Sequence, residues 1–315
     1  MIILRNKLFS SDSDEKKKRK KDEERSKKIA AAGAITVLGG GKVANYLHDK
    51  ARDSAVRGMN RTTSDSQEIN AKLKARARGM RIKLVDDPEF KNSAYLGTPL
   101  ARKLRKIAKT PEQIEQLGRS NHLGKASAGD IGTDSIAMGL GNGDPATLAH
   151  EMGHASMSQS GRSHDIIGKA AHSSVGQLSG IPSNLGRTNL GKAVYLGAGI
   201  RHGVKAAKKE EEGDKKGAKK ELRKGLIRSS LLAAPELVAE AAATRKGMKY
   251  LREAGASKET MRNARKTLGG AWGTYASTAA KPVLLDVGGT AIGYGVHKLR
   301  SKSKKKNNKK DKNED

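Results

Sequence analysis

The sequence predicts an α+β fold that is predominantly helical, with a small sheet beside one sharply bounded helix. Three observations carry this expectation. Apolar residues make up only 35% of the chain and aromatic ones 3%, while Gly reaches 36 and Pro only 7. Such a chain builds a modest core of Ala, Leu, Ile and Val, on helices that small residues allow to pack closely. Two short runs, 81–85 (RIKLV) and 134–140 (DSIAMGL), read as strands, the second closed by the turn signal Gly141-Asn142-Gly143. Between 144 and 161, Asp144 is a natural N-cap, Pro145 fits the first helical position and Gly161 is a natural stop.

The remaining elements follow in chain order. Residues 10–28 and 301–315 are charged, low-complexity runs that cannot bury a core, so both ends read as disordered basic tails. Residues 29–47 are apolar and long enough for a membrane span, but Ala and Gly dominate and Lys42 sits inside. A packed Gly/Ala-rich helix is the reading adopted. Residues 66–79 read as a helix. Residues 99–117 read as basic helices restarted at Thr110-Pro111, with Thr as cap and Pro in the first turn. Residues 191–207 are a Gly-rich helix candidate, 208–224 are a solvated charged segment, and a helix follows from about 226 to 253. A further helix covers 258–280 and ends at Lys281-Pro282, and 283–299 forms a last apolar helix containing Gly289 and Gly293. The expected organisation is therefore a basic tail (1–28), a Gly/Ala-rich helix and linker (29–65), a core with the capped helix (66–165), a polar and basic insert (166–225), a run of helices (226–300) and a second tail (301–315).

Charge and cysteine content narrow the chemistry. With 63 Lys and Arg against 33 Asp and Glu, the formal charge is +30. That excess favours an anionic partner, a nucleic acid or a lipid surface, reached through the basic ends. Aromatic stacking groups are nearly absent from the basic runs, which argues against single-strand recognition. Cys is absent, so no disulfide framework exists and any metal site must use His and carboxylates. No ordinary signal peptide is visible at the start, because Arg5 and Lys7 interrupt the apolar run. The location stays open between membrane-associated and cytoplasmic.

The strongest signal is His150-Glu151-Met152-Gly153-His154, an HExxH motif inside the capped helix. Residues four apart share a helix face, so both imidazoles can reach one Zn2+ ion. The carboxylate of the intervening Glu151 can then take a proton from metal-bound water, whose pKa zinc lowers towards 7. With 8 His in the chain, chance would produce about 0.01 such motifs. His48, His122, His164, His172, His202 and His297 are scattered and read as surface or loop residues.

A third ligand is required. Position 160, where one common extension of the motif would place it, is Ser. Glu236 and Glu240 lie four apart on the predicted 226–253 helix, and His164 and Asp165 are nearer in sequence. Spacing alone leaves these open.

Beyond the motif the chain resembles a known group. AHEMGHA at 149–155 resembles the zincin peptidases. LVAEAAATRKGMKYLREAG at 237–255 and ARKTLGGAWGTYASTAA at 264–280 resemble, in the same order, helices of the membrane-associated YugP-like neutral zinc metallopeptidases. The resemblance implies Glu240 as the third zinc ligand, with Glu236 one turn earlier as an alternative or supporting group. It departs where that family carries an acidic residue two positions after the ligand, which here is Ala242. It departs again across 161–225, where the family is strongly hydrophobic and this chain is polar and basic.

The expectation is a zinc-dependent metalloendopeptidase acting on a peptide or protein substrate, with strand 134–140 free to pair with an extended peptide. The alternative is a non-enzymatic basic protein that binds DNA or membrane and keeps a structural or degenerate zinc site.

Overall fold

Helix dominates because the chain has many Ala, Lys, Glu and Leu and few Pro or β-branched clusters to stop it. The computed structural model describes residues 2–59, 61–89, 93–120, 123–139, 144–159 and 189–311. They divide into two compact units, each assembled from separate stretches of chain. Unit 1 comprises 1–43, 184–231 and 280–315; unit 2 comprises 44–183 and 232–279.

Unit 2 holds the sheet and the motif. Helix α2 (Ser66–Gly79) buries Ile69, Leu73 and Ala77, at the i, i+4 and i+8 positions of one face, and packs on the motif helix. Strands β1 (Lys83–Asp86), β2 (Ser93–Tyr95) and β3 (Ser135–Met138) form a sheet of order β1-β3-β2. β3 runs parallel to β1, with Lys83 opposite Ser135, and antiparallel to β2, with Tyr95 opposite Ile136. Every residue of β3 is buried. That corrects the expectation of a strand free to receive a peptide, because β3 is paired on both sides and β2 is an edge strand instead. A three-residue Ser-Ala-Tyr strand is too short to carry a periodic signal, so β2 was invisible in the sequence.

The connecting helices follow their caps. In α3 (Pro99–Ile107) Thr98 accepts from the Ala101 amide at 3.2 Å. In α4 (Pro111–Ser120) Thr110 accepts from the Gln113 amide at 3.3 Å. The second is the expected restart at Thr110-Pro111. Short α5 (Lys125–Ala128) precedes β3. The motif helix α6 (Pro145–Gln159) begins as expected, with Asp144 accepting from the Ala146 amide at 3.1 Å. The core joins Leu73, Ile136, Leu148, Met152, Leu251 and Leu268, which come from strand β3 and four helical segments.

The long helices depart from the sequence reading. α1 runs unbroken over Ile2–Met59, and the last helix, α9, over Lys258–Asp311. Both therefore include stretches expected to be disordered tails. Two causes are visible within unit 1. Lys27 and Lys28 pair with Glu23 and Glu24 one turn earlier, each at 2.8 Å. The two ends also pack together: Ser26 is buried, and a Cβ at Gly295 would lie 2.8 Å from its carbonyl oxygen. Partners far apart in sequence thus supply order that neither run holds alone. Pro282 lies inside α9 instead of ending it. Pro in a helix interior costs about 3 kcal/mol, a cost that packing must offset; Asp286 and Thr290 just beyond it are buried. α7 (Asn189–Glu211) covers the Gly-rich helix expected over 191–207, whereas α8 (Lys215–Glu253) begins inside the charged segment expected to be solvated. They are joined by a turn in which Gly213 takes φ +85°, a conformation that favours glycine. No helix among the described residues is long and apolar enough to cross a membrane.

Candidate metal centre

Two helices of unit 2 build the site. α6 presents His150 and His154 one turn apart, and α8 brings Glu240 against them. Glycine allows the approach. A Cβ at Gly153 would lie 2.5 Å from the Ala243 carbonyl oxygen, and one at Gly247 would lie 2.9 Å from the His150 amide. Helix axes bearing larger residues at these points stand farther apart. The glycine inside HEMGH is therefore what lets α8 reach the histidines.

The three ligand atoms converge. His150 Nε2 lies 3.1 Å from Glu240 Oε2 and 3.1 Å from His154 Nε2, and His154 Nε2 lies 3.5 Å from Glu240 Oε2. Tetrahedral zinc with bonds of about 2.0–2.1 Å requires neighbouring ligand atoms about 3.3 Å apart. His150 and Glu240 are 7% and 9% exposed, so the cluster is desolvated. Two imidazole nitrogens and one carboxylate oxygen at these separations fit a divalent ion that favours nitrogen and oxygen ligands.

Burial and mutual charge set the protonation of the metal-free cluster. Burial raises the Glu240 pKa, but His154 and His150 outweigh it and hold the carboxyl down at about 2. Burial lowers the His154 pKa, yet the Glu240 carboxylate wins and raises it overall. Glu151 goes up, chiefly because it is buried, with the two histidines pulling the other way. Its Oε2 accepts the Tyr95 amide at 2.8 Å. The edge strand β2 therefore fixes the carboxylate that sits between the two histidines in sequence. Tyr95 is anchored in turn: its hydroxyl donates to Asp134, to which Arg102 also donates.

The structure brings together His150, His154, Glu240 and Glu151. It does not bring in the other histidines that are described. His48 is half-buried beside Asp49, His202 pairs with Glu221 at 3.2 Å, and His297 pairs with Glu211 at 3.4 Å. The Glu236 side chain, His122, His164, Asp165 and His172 lie outside the described residues. Sequence reasoning missed two contacts. The Tyr95 amide had no signal, since β2 was not recognised. The Thr244 hydroxyl, 3.3 Å from His150 Nδ1, lies one turn beyond Glu240 and was within reach of helical periodicity. Among known proteins, no family model, no curated protein and no solved structure matches the chain.

Proposed function

We propose that the protein is a zinc-dependent metalloendopeptidase. The observation that carries the reading is the convergence of His150, His154 and Glu240 to tetrahedral spacing, with the half-buried Glu151 on the helix of the two histidines. These three side chains would hold the ion. Zinc in such a site supplies a Lewis acid that polarises a peptide carbonyl and makes a water ligand acidic near neutral pH. Glu151 is the proton carrier: a desolvated carboxylate with a raised pKa accepts a proton from water and returns it to the leaving amine. The Tyr95 amide keeps that carboxylate from rotating away. This chemistry is the one that the resemblance to zincin peptidases, and to the YugP-like group among them, also implies. The zinc-loaded chain should hydrolyse labelled casein, lose that activity to a chelator and regain it with added zinc. A fully loaded chain without activity would leave a structural zinc site in a non-enzymatic protein.

A second reading concerns the partner, and unit 1 motivates it. Its stretches carry 35 Lys and Arg against 15 Asp and Glu. They also expose aliphatic side chains: Ile35 and Leu38 on α1 are 70% and 72% exposed, and Leu190 and Val194 on α7 are also exposed. Phosphate contacts on a nucleic acid use the cations only. An anionic lipid surface uses both, with Lys and Arg at the headgroups and aliphatic groups below them. The full chain should float with vesicles that contain phosphatidylglycerol and not with phosphatidylcholine alone. A bound fraction should survive high salt and disappear in the Ile35→Asp, Leu38→Asp variant. Complete release by salt, unchanged in that variant, together with equal binding to duplex DNA, would assign the charge to nucleic acid.

A further inference from the structure

The helix that delivers Glu240 also places a hydroxyl against the other side of the same imidazole. Glu240 and Thr244 are one turn apart on α8. Glu240 Oε2 faces His150 Nε2 at 3.1 Å, while Thr244 Oγ1 faces His150 Nδ1 at 3.3 Å. We propose that Thr244 is the positioning residue of the metal centre: it accepts the Nδ1–H of His150 and so keeps the Nε2 lone pair aimed at the ion. The inference rests on the zinc reading above and adds to it which residue orients the ligand.

The argument is one of tautomers. A neutral imidazole carries one N–H and one lone pair. If the proton sits on Nε2, that nitrogen donates to Glu240 and cannot bind a metal. Ligation through Nε2 therefore forces the proton onto Nδ1. His150 is 7% exposed, so this N–H needs a partner within the protein. Among the described residues, Thr244 lies at hydrogen-bond distance. Its hydroxyl can donate to Nδ1 before the metal arrives and accept from it afterwards, whereas a carboxylate could only accept. Ala242, at the position where an acidic residue was expected to support the ligand, offers no such group. Because α8 carries both the ligand and the orienting group, the two stay in register through the helix itself.

The neutral hydroxyl also leaves the charge of the centre balanced. A divalent ion held by these side chains would have the carboxylates of Glu240 and Glu151 nearby, and Thr244 adds no charge. An orienting partner of this kind stabilises metal binding without making the centre anionic.

The test is the zinc dissociation constant, read by competition with a chromophoric chelator on the full chain, with the thermal midpoint of the metal-free protein measured in parallel. Thr244→Val keeps the shape and removes the acceptor. It should weaken zinc binding roughly 10- to 100-fold, the usual cost of losing an outer hydrogen bond to a ligand. Thr244→Ser, which restores the hydroxyl, should lie within roughly threefold of wild type. The metal-free midpoint controls for folding: all three chains should unfold cooperatively, with Thr244→Val lower only by the loss of one hydroxyl–imidazole hydrogen bond and Thr244→Ser close to wild type. Wild-type affinity in Thr244→Val would overturn the assignment, and so would a weakening that Thr244→Ser shares, since either result detaches affinity from the hydroxyl. A wild-type chain that takes up no zinc overturns the metal reading itself, which separates the two failures.

Discussion

Replacing Glu151 by Gln should abolish peptide hydrolysis while leaving zinc bound. The amide has the volume of the carboxylate and can still meet the backbone of β2, but it has no lone pair basic enough to take a proton from water. General-base catalysis contributes about 10²- to 10⁴-fold, so kcat on labelled casein should fall by at least two orders of magnitude. Zinc content should stay at about one per chain, because neither imidazole nor Glu240 has been touched. The pairing of these two readings gives the experiment its force. A variant that loses zinc as well would show only that the site was disturbed. A variant that retains full activity with full zinc would sink the assignment of Glu151 as the proton carrier.

Zinc affinity should separate the two glutamates of α8. Glu240→Ala removes a ligand atom that sits 3.1 Å from His150 Nε2. It also removes the carboxylate that pairs with both imidazoles. The loss of affinity should exceed the roughly 10- to 100-fold that an outer hydrogen bond is worth. Glu236→Ala, one turn earlier on the same helix, should stay close to wild type. His150→Ala and His154→Ala should resemble Glu240→Ala, because each takes one of three protein ligands from a centre that needs all of them. The same competition titration decides all four variants. The opposite order for the two glutamates would mean that α8 meets the histidines one turn away from its position here.

These two experiments test features that the sequence exposed very unequally. The HEMGH motif needed no tertiary information, because i and i+4 on a helix share a face whatever surrounds them. Asp144 with Pro145, and Thr110 with Pro111, announced their helices through capping chemistry that is local in the chain. Glu240 was different. It lies 90 residues from His150, and helical spacing allowed Glu236 equally well. Only the resemblance to other peptidases pointed to it, and only the crossing of α6 and α8 at Gly153 and Gly247 gives that preference a distance.

The errors share one origin. The two charged ends were read as disordered because each, taken alone, has nothing to bury. The structure pairs them within unit 1, where Ser26 meets Gly295 and Lys302 lies 3.9 Å from Asp22. The break expected at Pro282 did not occur, since a local cost of about 3 kcal/mol can be offset by packing the turns beyond it. β2 escaped notice because three residues carry no period, yet it supplies the amide that holds Glu151.

By itself the sequence determined the helical class, the capped motif helix, the two histidines and the glutamate between them, because each depends on residues within about one or two helical turns. The tertiary structure alone decided which strand lies at the sheet edge, that the charged ends are helical, and that Glu240 and Thr244 face opposite nitrogens of His150. Those features come from contacts between residues tens to hundreds of positions apart. Local propensity is a weak guide to such contacts, and the closeness of helix packing settles them.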